Sequence, residues 1–196
     1  MIHNRLDRLT SLMASVGLDA IALNPGPSLT YLTGLHFHLM ERPTVLLIAP
    51  PKSPVLILPV LESAKLNSAS IPLEAISFSD NPADWQKAFV EAIGLLHLEK
   101  STIGVEPTRL RYLELRFLEN AAPEAQFSSA EAALTPLRLR KDKDEISAMQ
   151  NAARIAESAL QKTLPLVHPG ICERERASAL VLNLLRSGSD SELPFA

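Results

Sequence analysis

The residues best equipped for chemistry are few and scattered along the chain. His36-Phe37-His38 puts two imidazoles on the same side of an extended segment, and Glu41 follows three residues later. Two imidazoles and a carboxylate are donors of the kind that hold zinc or a similar divalent ion. Without a firm third ligand, the plainer reading is a pair of loop histidines. Cys172 would need an imidazole to activate its thiol, and only His168 lies nearby. The basic residues Arg138, Arg140, Lys141 and Lys143 are interleaved with Asp142, Asp144 and Glu145, which cancel most of the charge. That pattern reads as a solvated helix entrance and not as a phosphate-binding patch. Trp85 and Phe89, four apart, fit a core face better than a ligand shelf. A two-metal hydrolase needs several carboxylates converging on one small space, and the spacing of acids here offers no such cluster.

Composition narrows the classes further. The chain has 196 residues, 46% of them hydrophobic, and a formal net charge of -3, enough to bury a sizeable core. Its mixed charges give no basic field for nucleic acid, so no nucleic-acid partner is expected. One cysteine permits no internal disulfide, and the opening MIHNRLDRL is charged where a signal peptide is apolar, which together predict a cytoplasmic protein. Proline breaks the apolar runs Thr44 to Pro51 and Val55 to Leu61 far short of the roughly 20 residues a bilayer requires, so no membrane segment is expected.

The elements that must position these residues follow from hydrophobic period. Leu6, Leu9, Met13 and Val16 mark a first helix that Gly17 ends. Asp19 to Asn24 is a short buried run closed by Asn24-Pro25-Gly26-Pro27, a strand and then a turn. A brief segment from Ser28 to Thr33 closes at Gly34. Thr44 to Ala49 and Val55 to Val60 are continuous apolar runs, predicted as neighbouring strands buried on both faces. Further strands are predicted at Ala75 to Phe78 and Thr102 to Glu106, and helices at Asp84 to Leu96 and Thr108 to Glu119. Strands alternating with helices at this spacing argue for an α/β sandwich.

Beyond Thr135-Pro136, which punctuates the chain, Asp142 and Glu145 form an Asp-x-x-Glu capping box. Ile146, Met149, Ala153, Ala156 and Leu160 then repeat at helical spacing. Pro169-Gly170 turns the chain into a second helix with Ala177, Leu180, Val181, Leu184 and Leu185 on its apolar face, ended by Gly188. Two amphipathic helices with little left to cover them read as the opening of a further unit. A helical hairpin folded back on the first domain is the alternative.

Taken in order, these segments resemble the creatinase, prolidase and aminopeptidase P family. Arg5-Leu-Asp-Arg-Leu9 with Gly17-Leu-Asp-Ala-Ile21 is similar to the family's first helix and strand, and Asn24 with Tyr31-Leu-Thr-Gly34 to its Asn and YLTG signature. Leu137-Arg138, Lys141, Glu145-Ile146, Met149 and Ala152-Ala153 resemble the segment that leads into the catalytic domain. Pro169-Gly170 and Glu173 resemble the turn into that domain's second helix, and Pro194-Phe195 its first strand. Cys172 departs from the pattern, standing where the family often has a hydroxyl residue to cap the helix, which implies a weaker cap.

The resemblance implies a fold and a function. Residues 1–134 would form a three-layer α-β-α sandwich of the creatinase N-terminal type, a mixed sheet flanked by helices. Residues 135–196 would be a linker helix and the incomplete start of a pita-bread catalytic domain. The whole protein would hydrolyse the bond before proline in Xaa-Pro peptides as a homodimer. It would use two divalent metal ions (Mn, Co or Zn) held by two aspartates, a histidine and two glutamates, none of which lies in this chain. This chain would thus hold no cofactor and be inactive alone, shaping the substrate pocket and supporting dimerisation. The loop after the YLTG signature would approach the neighbouring subunit's active site, with Arg42, and beside it His38, reaching substrate across the dimer. For Arg42 the plainer role is pairing with Glu41 or solvent. A creatinase-like amidinohydrolase and a stand-alone binding module without chemistry remain the alternatives. The Xaa-Pro reading leads on Tyr31 to Gly34 and on the segment from Leu137.

Overall fold

The computed structural model describes residues 2–190, and for residues 2–4 only the backbone. Pro194-Phe195, expected to enter a strand, lie outside the described residues. The chain forms two compact units, Met1–Leu139 and Arg140–Ala196.

In the first unit, helix α1 (Ile2–Ser15) precedes strand β1 (Ala20–Leu23), and α2 (Pro27–Thr33) precedes the hairpin of β2 (Val45–Ile48) and β3 (Val55–Pro59). A 3-10 stretch at Val60–Ser68 leads to β4 (Glu74–Phe78), α3 (Pro82–Leu96), β5 (Thr102–Val105), α4 (Tyr112–Ala121), β6 (Gln126–Ser129) and α5 (Glu131–Leu139). The six strands lie in the order β4-β3-β2-β1-β5-β6. β2 is antiparallel to both β1 and β3, whereas β3–β4, β1–β5 and β5–β6 pair in parallel. The sheet is therefore mixed.

Its strands are apolar throughout because both faces are covered. Ala20, Ala22, Val45, Leu47, Val55 and Ile57 point to one face, where they meet Ala88, Phe89, Ala92 and Ile93 of α3 and Leu118 of α4. Their alternates Ile21, Leu23, Leu46, Ile48, Leu56 and Leu58 point to the other, under Leu9 and Met13 of α1, Leu29 and Leu32 of α2, and Leu134 and Leu137 of α5. Period-two alternation thus feeds two separate cores, which makes the three layers. Phe89 is fully buried and stacks on Phe117 at 5.1 Å between ring centroids, while Trp85 sits 5.8 Å from Phe78. These aromatics are core, as their spacing predicts.

Three elements depart from the sequence reading. β6 is a polar edge strand of sequence QFSS, and a single half-buried Phe127 gives it no apolar run to announce it. It exists because Gln126 to Ser129 register in parallel on Thr102 to Val105. Thr135-Pro136 lies inside α5, where burial of Ala133, Leu134 and Leu137 outweighs the backbone hydrogen bond that Pro136 cannot donate. The first compact unit accordingly ends after Leu139, whereas the sequence places a boundary at 134/135. Ser28 to Thr33, read as a brief segment, is the helix α2.

In the second unit, α6 (Lys143–Thr163) and α7 (Glu173–Arg186) flank a 3-10 turn at Leu164–Leu166. The capping box expected at the start of α6 is formed: Asp142 Oδ1 accepts the Glu145 N–H at 2.8 Å, and Glu145 Oε2 accepts the Asp142 N–H at 2.7 Å. Buried Asn183 of α7 donates to Thr163 Oγ1 of α6 at 3.1 Å. Ile146, Met149 and Leu160 remain 46%, 58% and 51% exposed, so much of the α6 stripe faces solvent.

Candidate functional site

The register places the carboxyl ends of β1, β3, β4, β5 and β6 and the amino end of β2 on one side of the sheet. Asn24 follows β1, Glu106 follows β5, Thr44 precedes β2, and Ser79 and Asp80 follow β4. Connections leave β1 and β5 toward opposite faces, through α2 and α4 respectively. Such a switch point is the usual place for a crevice in an open α/β sheet.

The YLTG stretch has a physical reading here. Tyr31 lies under the Arg5 guanidinium, 4.1 Å from carbon to ring centroid, and its carbonyl accepts from Arg5 Nη1 at 2.9 Å. Leu32 is fully buried. Thr33 Oγ1 donates to the Leu29 carbonyl at 2.8 Å and accepts the Leu35 N–H at 3.0 Å, while its own carbonyl takes the Ser70 N–H at 2.8 Å. Gly34 ends α2 with φ of +73° and donates its N–H to the Thr30 carbonyl. A side chain there would be strained in φ, and a Cβ would stand 2.3 Å from Ser70 Oγ. The stretch therefore fixes how the chain leaves α2 and where residues 34–44 begin. Asn24, the other part of that signature, is fully buried, and neither side-chain polar atom has a hydrogen-bond partner among the described residues.

Residues 34–44 form neither helix nor strand and cross this end of the sheet. Leu35, Pro43 and Thr44 are buried anchors, whereas His36, His38, Leu39, Met40 and Glu41 are exposed. His38 and Arg42 come together in one cleft, lined also by Phe37, Met40, Thr44, Pro59, Leu61 and Glu62. Apart from His38, Arg42 and Glu62 its walls are largely apolar, which suits a small peptide side chain. His36 is not part of that lining. The anionic partner of Arg42 is Asp80, at 2.9 Å, and not Glu41.

Among the described residues no group of three or more His, Cys, Asp or Glu side chains is placed to hold a metal ion. His36, His38 and Glu41 are accordingly not brought together as a ligand set. A second cleft lies at the opposite end of the sheet, among Met13, Leu18, Pro50, Pro51, Lys52 and His97. Its charged groups have structural partners: Asp19 Oδ2 accepts the Thr102 N–H at 2.7 Å, and Lys52 Nζ donates to the Leu95 carbonyl at 2.9 Å. It is the larger of the two, yet the loop with its imidazole and guanidinium makes the smaller one the better candidate site.

Three contributors at this end escape a sequence reading. Asp80 carries no local signal that it meets Arg42, 38 positions earlier. Ser28 Oγ donates to Glu106 Oε1 at 2.6 Å across 78 positions. Arg111 pairs with Glu114 three residues on, and nothing in that common spacing announces that Glu114 is fully buried.

A mixed six-stranded sheet between helical layers, with an anchored loop at its carboxyl edge, defines a three-layer α/β domain. The chain belongs to the creatinase/prolidase N-terminal domain family, whose model matches residues 5–140. It is 26% identical over 185 residues to the Bacillus subtilis (strain 168) protein named "Putative dipeptidase YkvY", covering 94% of this chain and 51% of that protein. A solved dipeptidase from Pyrococcus horikoshii OT3 is 28% identical, with a TM-score of 0.79 over 93% of this chain and 49% of its own. The recombinant prolidase from Thermococcus sibiricus shares the fold at 22% identity, with a TM-score of 0.87 over 100% of this chain and 52% of that one. The chain thus spans about half the length of the curated relatives it matches. Among the described residues no helix is long and apolar enough to cross a membrane.

Proposed function

We propose that this chain is the N-terminal accessory part of an Xaa-Pro peptidase of prolidase or aminopeptidase P type. The observation that carries this reading is the family match over residues 5–140 in a chain that spans only half of dipeptidase-named relatives. The 62 residues from 135 to 196 are read as the linker helix and opening of a pita-bread catalytic domain. The exposed apolar stripe of α6, with Ile146 and Met149 about half exposed, supports further layers over it.

In this reading the catalytic half lies outside the chain and binds two divalent ions, Mn, Co or Zn. The protein works as a homodimer on proline-containing peptides in the cytoplasm. Each subunit's loop 34–44 forms a wall of its partner's pocket. Arg42 would meet the substrate's carboxylate or carbonyls, and His38 would sit beside it as a hydrogen-bonding group. The Arg42–Asp80 pair fits that role, because a bond between half-exposed groups holds the guanidinium in place yet yields readily to a stronger carboxylate ligand.

The test is hydrolysis of Xaa-Pro dipeptides and tripeptides with added manganese or cobalt, by this chain and by a form extended to the length of its relatives. Activity in the extended form alone is the expected result. Activity in the 196-residue chain would sink the reading and return His36, His38 and Glu41 to consideration as ligands. Hydrolysis of an amidine substrate by the extended form would favour the creatinase-like alternative.

A further inference from the structure

Arg111 stands at the amino end of α4, in the residue just before its first turn. Its Nε donates to both oxygens of Glu114, at 3.0 and 3.1 Å, and its Nη2 reaches Glu114 Oε1 as well. Glu114 is fully buried, so its carboxylate depends on that guanidinium. The remaining nitrogen, Nη1, donates to the main-chain carbonyl of Met40, 71 positions away in loop 34–44, at 2.5 Å. One guanidinium thus connects a buried carboxylate in the first turn of α4 to the backbone of the loop that presents His38 and Arg42.

We propose that Arg111 is a positioning residue for that loop, and that the Glu114–Arg111–Met40 strut sets where His38 and Arg42 stand. The inference rests on the reading of the loop as a substrate-facing wall. Three features of the strut carry it. The loop has no sheet or helix ladder of its own, so its middle is placed by discrete bonds. The Arg42–Asp80 pair ends on a carboxylate whose side chain is 59% exposed, whereas the Met40 tether ends on Arg111, 29% exposed, whose guanidinium is held from behind by the fully buried Glu114. A charge-assisted bond whose donor is already locked is stronger and better ordered than a surface pair. The geometry also requires arginine: engaging a carboxylate with two nitrogens while a third points elsewhere needs a planar fork that lysine lacks.

The consequence is that the middle of the loop is placed by α4, while its ends are placed by α2 and β2, which it connects. A shift of α4 against the sheet would move the loop with it, and a neutral α4 terminus would release it.

The experiment uses the chain labelled with 13C at its methionine methyl groups. Met40 reports the loop, Met13 the core beneath α1, and Met149 the second unit. Arg111→Leu alone strands a buried carboxylate and is expected to impair folding, so the informative variant is the pair Arg111→Leu with Glu114→Gln. Its expected signature is a Met40 methyl and residue 38–42 amides that gain mobility, with amide exchange faster by roughly tenfold, the loss of one charge-assisted bond. Met13 and the β1–β3 amides stay as in the parent. Arg111→Lys is expected to resemble the double variant in the loop, since it cannot serve both partners. An unchanged Met40 and unchanged loop amides in the double variant, or a Arg111→Lys chain indistinguishable from the parent, would overturn the strut. In a form extended to the length of its relatives, the double variant is expected to raise KM for an Xaa-Pro dipeptide about tenfold while kcat stays within about twofold, the pattern of lost uniform binding. A mobile loop with KM unchanged would refute the positioning role, and an extended form with no Xaa-Pro activity would refute the functional reading while the loop measurement still judges the strut.

Discussion

Ser28 donates its hydroxyl proton to Glu106 Oε1 at 2.6 Å, which ties the first turn of α2 to the residue that leaves β5. Ser28 is 1% exposed, and the other Glu106 oxygen is buried with no hydrogen-bond partner among the described residues. The carboxylate therefore leans on this one hydroxyl. Ser28→Ala is expected to cost about 1–3 kcal/mol in urea denaturation, the range for a buried acceptor left without its donor. Glu106→Gln keeps an acceptor for Ser28 and removes the charge, so it is expected to cost less than Ser28→Ala. A larger loss for Glu106→Gln would show that the charge, and not the hydrogen bond, holds this junction.

Two glycines give opposite expectations for the same substitution. Gly34→Ala places a Cβ at a backbone φ of +73° and 2.3 Å from Ser70 Oγ. A loss of about 1–2 kcal/mol is expected from the left-handed conformation alone, before Ser70 moves. Gly94 lies inside α3 with nothing within 4 Å of its added Cβ. Gly94→Ala is expected to stabilise by about 0.5–1 kcal/mol. Thermal unfolding of the two variants side by side checks the sign of each.

The start of α7 carries a pH dependence. The Glu175 carboxylate accepts the Cys172 N–H at 2.9 Å, and that backbone bond, followed by one to the Cys172 side chain, holds its pKa below the ordinary glutamate range. A carboxylate with a depressed folded-state pKa stabilises above its unfolded value and ceases to do so as pH falls through the folded one. Helix content in α7 is thus expected to be level at neutral pH and to decline below about pH 4.3, the unperturbed glutamate value. Glu175→Gln should remove that dependence. Cys172→Ser supplies a stronger capping oxygen and is expected to add about 0.5–1 kcal/mol, read as helix content by circular dichroism.

How much of this was legible in the sequence depends on how local each feature is. Asp142 and Glu145 announce their capping box because both partners lie within one turn. Val45 to Ile48 and Val55 to Pro59 announce buried strands because every side chain is apolar. The edge strand Gln126–Ser129 has Phe127 as its one apolar side chain, too little for a period, and its pairing with β5 makes it a strand. Family resemblance led to His38 and Arg42, and the fold places both in one cleft. Asp80, Ser28 with Glu106, and Arg111 with Met40 join residues 38 to 78 positions apart. No periodicity encodes a meeting at that separation, because the sheet order, and not the local chain, brings strand ends together.

The second unit offers a test of its exposed face. Ile146, Met149 and Leu160 lie three or eleven residues apart on α6, and Leu182 and Leu185 on α7 are also 50% and 41% exposed. A cluster of this kind draws apolar surface from whatever is present. The 196-residue chain is therefore expected to self-associate in a concentration-dependent way through this unit. Ile146→Lys with Met149→Glu places opposite charges one turn apart on the helix and should abolish that association without loss of helix. Sedimentation velocity over a range of concentrations distinguishes the outcomes. Association that survives the double substitution would move the contact either to Leu160, Leu182 and Leu185 of the second unit or to the first unit, where Leu39 and Met40 of the loop are exposed with Val60 and Leu61; adding Leu182→Glu and Leu185→Lys separates the two. A dimer of that second kind would support the loop's role as an inter-subunit wall; a dimer of the first kind would say nothing about it.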